Sequence, residues 1–119
     1  MDHKDLIFLC DSFYNLTGLP IRYYANQQLV RMQPRIPHEV DPIHEIMPRM
    51  LEDHHDLHYY MNDDLLFYGK VKELRSDRMF LIGPCSNVPL SGPNITSMMI
   101  HAKIAHQHRE GLVGLLRVV

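Results

Sequence analysis

The stretch from Leu57 to Pro84, LHYYMNDDLLFYGKVKELRSDRMFLIGP, limits the possible folds more than any other part of the chain. Runs of aromatic and branched side chains are interrupted at Asn62-Asp63-Asp64 and at Arg75-Ser76-Asp77. Such residues bond their own backbone and end a strand, so each cluster predicts a hairpin and the stretch predicts three antiparallel strands in succession. Tight turns pairing Asn62 with Leu65 and Leu74 with Met79 would set Tyr60 against Phe67, His58 against Gly69 and Val71 against Ile82. Side chains alternate along a strand. One face would therefore gather His58, Tyr60, Leu65, Phe67, Gly69, Val71, Phe80 and Ile82, and the other Leu66, Tyr68, Lys70 and Lys72. The two lysines mark this second face as the wet one.

Before this stretch, Leu6, Leu9, Cys10, Phe13 and Tyr14 or Leu16 recur at helical spacing between Asp2 and Thr17. Gly18 suits a left-handed cap, and Pro20 cannot continue a helix. Leu19 to Ala25 and Gln28 to Gln33 then alternate as a hairpin around Asn26-Gln27, with Ile21, Tyr23, Val30 and Met32 on one face and Arg22, Tyr24, Leu29 and Arg31 on the other. Asp41-Pro42 combines a capping acceptor with a proline at the first helical position. Ile43, Ile46, Met47, Met50 and Leu51 form the buried side of that segment, and Pro48 within it predicts a kink or two short pieces. After a Ser-, Asn-, Gly- and Pro-rich loop from Pro84 to about Pro93, Ile95, Met98, Met99 and Ala102 lie on one side of a further helix. Leu112, Leu115, Leu116 and Val119 repeat the spacing at the end.

Helix, two strands, helical crossover, three strands and helix add up to an α+β domain. Its expected core is a five-stranded antiparallel sheet with helices packed on one face. That succession is similar to PAS-like and GAF-like sensor domains, and profilin-like and roadblock-like scaffolds share much of it.

With 119 residues, one domain is expected. An apolar share of 45% with 22% charged residues fits a globular chain rather than a disordered one. The net charge of -2 and the scattered basic residues argue against a nucleic-acid surface on this segment. Cys10 and Cys85 stand alone, without a C-x-x-C spacing, and are expected as reduced, buried thiols. No apolar run is long enough to cross a bilayer and no secretion signal is present, so a cytoplasmic location without membrane contact is expected.

Chemistry-bearing motifs are sparse. Nine histidines include the groups His54, His55, His58 and His101, His106, His108. In His44-Glu45-Ile46-Met47-Pro48, however, proline replaces the second ligand of a metalloprotease signature. Solvated histidines, with no metal and no cofactor, are the expectation. Neither Ser86 nor Ser91 lies in a nucleophile elbow, and no phosphate-binding loop occurs. A non-enzymatic domain is predicted, with a small metal-dependent hydrolase using the histidine clusters as a further alternative. On the face expected to be dry, His58 opposite Gly69 would leave room and one polar handle among Tyr23, Tyr60, Phe67 and Phe80. Those six residues form the predicted ligand-binding set.

Asp11 to Ile21 (DSFYNLTGLPI), Leu65-Leu66-Phe67-Tyr68 and Phe80 to Cys85 (FLIGPC) together resemble the N-terminal sensory region of AraC-type bacterial transcription regulators. The resemblance implies a small-molecule ligand and a C-terminal pair of helix-turn-helix motifs that bind DNA, a pair this chain lacks. It divides the chain into a sensor at 1–105 and a C-terminal helix at 106–119 leading to a missing DNA-binding domain. Leu112, Leu115, Leu116 and Val119 would then pass the signal through a homodimer, unless that helix folds back on its own sheet. The alternative function is a profilin-like or roadblock-like scaffold that binds protein through its sheet and has no cavity.

Overall fold

The computed structural model describes residues 2–64, 66–73, 76–86 and 89–117. Helix α1 spans His3–Thr17, started by the Asp2 carboxylate, which accepts from the Asp5 amide, and ended by Gly18 at φ 70°. Strands β1 (Ile21–Ala25) and β2 (Gln28–Gln33) follow, then 3-10 turns at His38–Val40 and Pro42–Glu45 and the short helix α2 (Met47–Glu52). Asp41 caps the second turn as expected, accepting from the Ile43 amide, and the helix breaks into two pieces ahead of Pro48. Strands β3 (Leu57–Met61), β4 (Leu66–Lys72) and β5 (Arg78–Ser86) come next, and α3 (Gly92–His101) and α4 (Arg109–Leu115) close the described chain.

The five strands form one antiparallel sheet in the order β2-β1-β5-β4-β3. The α+β class, the five-stranded sheet and the PAS/GAF-like topology expected from the sequence are all present. The connection from β2 to β3 and the pair α3 and α4 cover one face, here called inner. Tyr24, Tyr60, Tyr68, Met79 and Leu81 of the sheet pack there on Ile43, Ile46 and Met50 of the crossover. Leu66 packs on Ile95, Met98 and Met99 of α3 and on Leu112 and Leu116. Full burial of such a side chain stabilises by roughly 1.5–3 kcal/mol, so these two clusters carry most of the core. Helix α1 lies on the opposite, outer face, where Leu6 and Cys10 meet Ile21, Tyr23, Phe80 and Ile82.

Two pairings differ from expectation. In the β3–β4 hairpin Met61 faces Phe67, Tyr60 faces Tyr68, Tyr59 faces Gly69 and His58 faces Lys70. The shift is one residue, because the Asn62 side chain accepts from the amides of both Asp64 and Leu66 and so holds a loop one residue longer than a two-residue turn. A slip of one reverses a strand's faces. His58 and Tyr60 therefore share the inner face with Tyr68 and Lys70, while Phe67, Gly69 and Val71 lie on the outer face. In the β4–β5 hairpin Val71 faces Phe80 and Lys72 faces Met79. That slip is two residues, so Val71, Phe80 and Ile82 still share a face. Leu65 and Leu74, which entered the expected pairings, lie outside the described residues.

The wet and dry sides are also corrected. Leu66 and Tyr68 are fully buried and Lys70 is 3% exposed, whereas Val71 is 40% exposed. Lys70 survives burial because its ammonium donates to the Asp53 carbonyl oxygen at 2.6 Å. On β2, a bulge at Val30 places Met32 opposite Arg22 and Arg31 opposite Tyr23, so Met32 joins the face of Arg22 and not that of Tyr23.

Candidate functional site

Arg22 opens the inner face. Its position on β1 directs a guanidinium into the space between the sheet and the crossover, where the residue is only 2% exposed. The Asp41 carboxylate accepts from both terminal nitrogens, at 2.7 and 2.8 Å, a paired geometry that a buried charge requires. Burial works against the charge of Arg22, and the hydrogen bonds and charge of Asp41 outweigh it, so its pKa is raised. The third guanidinium nitrogen, Nε, is buried and has no hydrogen-bond partner among the described residues; the same holds for the Tyr68 hydroxyl. Burial drives the Tyr68 pKa up, which keeps that hydroxyl a neutral donor.

A recess of about 340 Å³ lies against this pair. Arg22, Tyr24 and Met32 form its sheet side, Asp41 and Met47 its crossover side, and Ile36 one end. His38 and His44, whose ring nitrogens lie 3.1 Å apart, also line it. On the far side of Tyr24 and Gln27, which border both spaces, a second cleft of about 210 Å³ runs between Met50, Lys70 and Met79 towards Asp53 and His54. The arrangement presents an apolar wall, two histidines and a charge-neutral ion pair, which suits a small polar molecule.

The predicted ligand set divides between the two faces. Tyr23, Phe67, Gly69 and Phe80 lie on the outer face; the Tyr23 ring packs at a tilt on Phe80, with centroids 5.4 Å apart, beneath α1, and its hydroxyl lies 3.0 Å from a ring nitrogen of His3. His58 and Tyr60 lie on the inner face with their rings 4.9 Å apart. His58 therefore does not stand over Gly69, whose open side faces the Tyr59 ring instead. Sequence reasoning missed Arg22 and Asp41, which line the inner recess, because their pairing rests on tertiary proximity.

Among the described residues, two clusters of potential ligands come together. Asp53, His55 and His58 converge in the loop ahead of β3 and at its start, and Glu45, Asp64 and His101 converge between the crossover, the β3–β4 turn and α3. The Tyr60 hydroxyl and the His55 amide donate to Asp53, in that order of effect, and hold its carboxyl well below the usual carboxylate range. Asp64 accepts from Ser97 and pairs with His101, whose pKa is raised by that contact.

Leu112, Leu115 and Leu116 are buried in the chain's own core against α3, Leu66, Ile36 and Val40. The last helix thus folds back, and these three side chains are not an exposed surface; Val119 lies outside the described residues. Both thiols are buried and unpaired, and burial pushes the Cys10 pKa up to about 11. Among the described residues no helix is long and apolar enough to cross a membrane. No protein-family model matches the chain, and no curated protein or solved structure is significantly similar to it. The domain is an α+β fold with a five-stranded antiparallel sheet, of the general PAS/GAF-like sensor or scaffold type.

Proposed function

We propose that this domain is the non-enzymatic sensor of a transcription regulator of the AraC type, which binds a small, uncharged polar ligand in the recess beside Arg22 and signals to a helix-turn-helix DNA-binding domain. The observation that carries the reading is the recess of about 340 Å³ itself, where apolar side chains such as Met32, Ile36 and Met47 meet the Arg22–Asp41 pair, Tyr24 and two histidines, a mostly apolar lining with a few polar groups that can orient a small ligand. Asp41 already neutralises the guanidinium, so a ligand without net charge fits best. The expected cytoplasmic location belongs to the same proposal.

A route out of the recess supports signalling. Ile36, at one end of it, and Val40, next to Asp41, both pack on Leu115 of α4, and Val40 lies close against Gly111 of the same helix. A ligand that favours one position of the Asp41 segment therefore favours one position of α4, which is the differential binding that any switch needs. Transmission here works through the buried side of α4, and homodimerisation is a further part of the proposal.

The test is a thermal-shift screen of uncharged polar metabolites, repeated with Met47→Trp, which fills the recess. Stabilisation of the parent chain that vanishes in a Met47→Trp variant of unchanged circular dichroism supports the reading. Stabilisation that persists in the variant, or none in the parent, overturns it. The regulator assignment has its own test: helix-turn-helix repeats encoded in frame after Val119 support it, and a stop codon there overturns it.

A second reading, the profilin-like or roadblock-like scaffold, is favoured by the outer face of β3 and β4. Leu57, Tyr59 and Met61 are 66%, 72% and 49% exposed there, beside Val71. Loss of a protein partner on Tyr59→Glu, with the inner recess intact, would favour that reading over the sensor.

A further inference from the structure

We propose that Asp53, His55 and His58 form a binding site for a zinc ion, separate from the recess beside Arg22 and independent of the sensor reading. Their donor atoms lie within 4.8 Å of one another. The His55 Nδ1 is 2.6 Å from one carboxylate oxygen of Asp53, and the His58 Nδ1 is 3.7 Å from the other. Zinc holds nitrogen and oxygen donors at about 2.0–2.2 Å, which puts neighbouring donors of a tetrahedral site roughly 3.3 Å apart. The two observed separations fall on either side of that value, so closure around an ion needs only small side-chain shifts. Two imidazoles and a carboxylate are a borderline set that suits zinc and other late transition ions and disfavours magnesium and calcium, which take oxygen alone.

The residue at the centre of the set is held on every side. The Asp53 carboxylate accepts from the Tyr60 hydroxyl and the His55 amide, and its carbonyl accepts from the buried Lys70 ammonium. Asp53 is thereby tied to β3 and β4 of the inner face, and such outer partners orient a metal ligand before the ion arrives. The two imidazole rings stack nearly parallel, with centroids 5.2 Å apart. With zinc on Nδ1 of His55, the neutral ring carries its proton on Nε2. Three protein donors leave the fourth position to water or to an exogenous ligand.

The experiment is zinc titration of tag-free, metal-stripped protein by calorimetry, with cobalt as a spectroscopic stand-in read by visible absorption. One equivalent is expected, with a tetrahedral cobalt spectrum. His55→Ala and His58→Ala should each weaken binding by more than about 100-fold, and Tyr60→Phe by about tenfold through loss of orientation. His55 is 73% exposed, so its replacement leaves the fold intact and the loss is read as lost ligation. His101→Ala, in the other cluster, should leave the affinity unchanged. Absence of zinc uptake by the parent chain, parent-like affinity in both histidine variants, or loss that follows His101→Ala instead overturns the proposal.

Discussion

Asp41 accepts both terminal nitrogens of Arg22 across 19 residues of sequence, while its own carboxylate also caps the turn at Pro42 by accepting from the Ile43 amide at 3.1 Å. One side chain thus fixes a β1 charge and the start of the crossover together. Breaking a buried pair from one side leaves the other charge unpaired, which costs about 3–5 kcal/mol. Asp41→Asn should show that loss in urea unfolding while keeping a capping oxygen. Asp41→Ala should cost about 1 kcal/mol more, because the cap goes as well. Equal stability of the two variants would mean the cap contributes nothing.

Gly83 sits at φ 123°, a conformation in which side chains are strained, and its amide donates to the Pro20 carbonyl across to the start of β1. A Cβ there would lie 2.7 Å from the Phe67 carbonyl oxygen and 3.2 Å from the Tyr68 Cα, both backbone atoms that cannot step aside. Gly83→Ala should therefore destabilise by about 3 kcal/mol or abolish folding, the sum of backbone strain and overpacking. By contrast Gly114→Ala meets no atom within 4 Å and lies in a helix, where alanine is the better residue, so it should be neutral or mildly stabilising. Denaturation midpoints of the two variants give the comparison directly.

Element order, the cap at Asp41, the broken helix at Pro48 and the turn at Asn26-Gln27 were legible because each rests on local chemistry that the residues themselves specify. The faces of β3 were not. Turn-forming residues announce a hairpin but leave its length open, and at Asn62 one extra loop residue is stabilised by a side chain bonding two amides. That single residue moved His58 and Tyr60 away from Gly69. The two-residue slip between β4 and β5 did no such harm, since an even slip preserves faces. Lys70 misled for a different reason: lysine marks solvent only when no buried acceptor is in reach, and the Asp53 carbonyl is not visible in a sequence. The pairing of Arg22 with Asp41 likewise depends on tertiary proximity. The spacing Asp53-x-His55-x-x-His58 was visible, and counting the aspartate with the histidines would have flagged the cluster.

His101 supplies a pH signature. Its imidazole pairs with Asp64 at 2.8 Å, and the hydrogen bond and charge of that carboxylate raise its pKa above the ordinary 6.5. A group with a raised folded pKa binds its proton more tightly when folded, so its stabilisation is complete below the unfolded value and fades as pH rises through the folded one. The stability difference between the parent chain and His101→Gln should therefore be largest below about pH 6.5 and shrink above the raised folded value. Nuclear magnetic resonance titration of His101 should give a midpoint above 6.5 that falls in Asp64→Asn. An unshifted midpoint in the parent chain would count against the pair as a source of pH-dependent stability.

The β1–β2 turn holds Asn26 at φ 52° and Gln27 at φ 63°, both left-handed. This is the twist a two-residue hairpin favours, and asparagine followed by glycine is its best sequence. Asparagine tolerates the conformation, but glutamine has a Cβ that crowds the following carbonyl at a cost of roughly 1–2 kcal/mol. Glycine removes that cost and returns part of it as extra freedom of the unfolded chain. Gln27→Gly should therefore stabilise by about 0.5–1 kcal/mol and raise Tm by a few degrees. Gln27 also borders both inner clefts, so the same variant widens them without touching Arg22 or Asp41. Thermal unfolding checks the first effect, and a stability equal to or below that of the parent chain would show that the Gln27 side chain makes compensating contacts across the clefts.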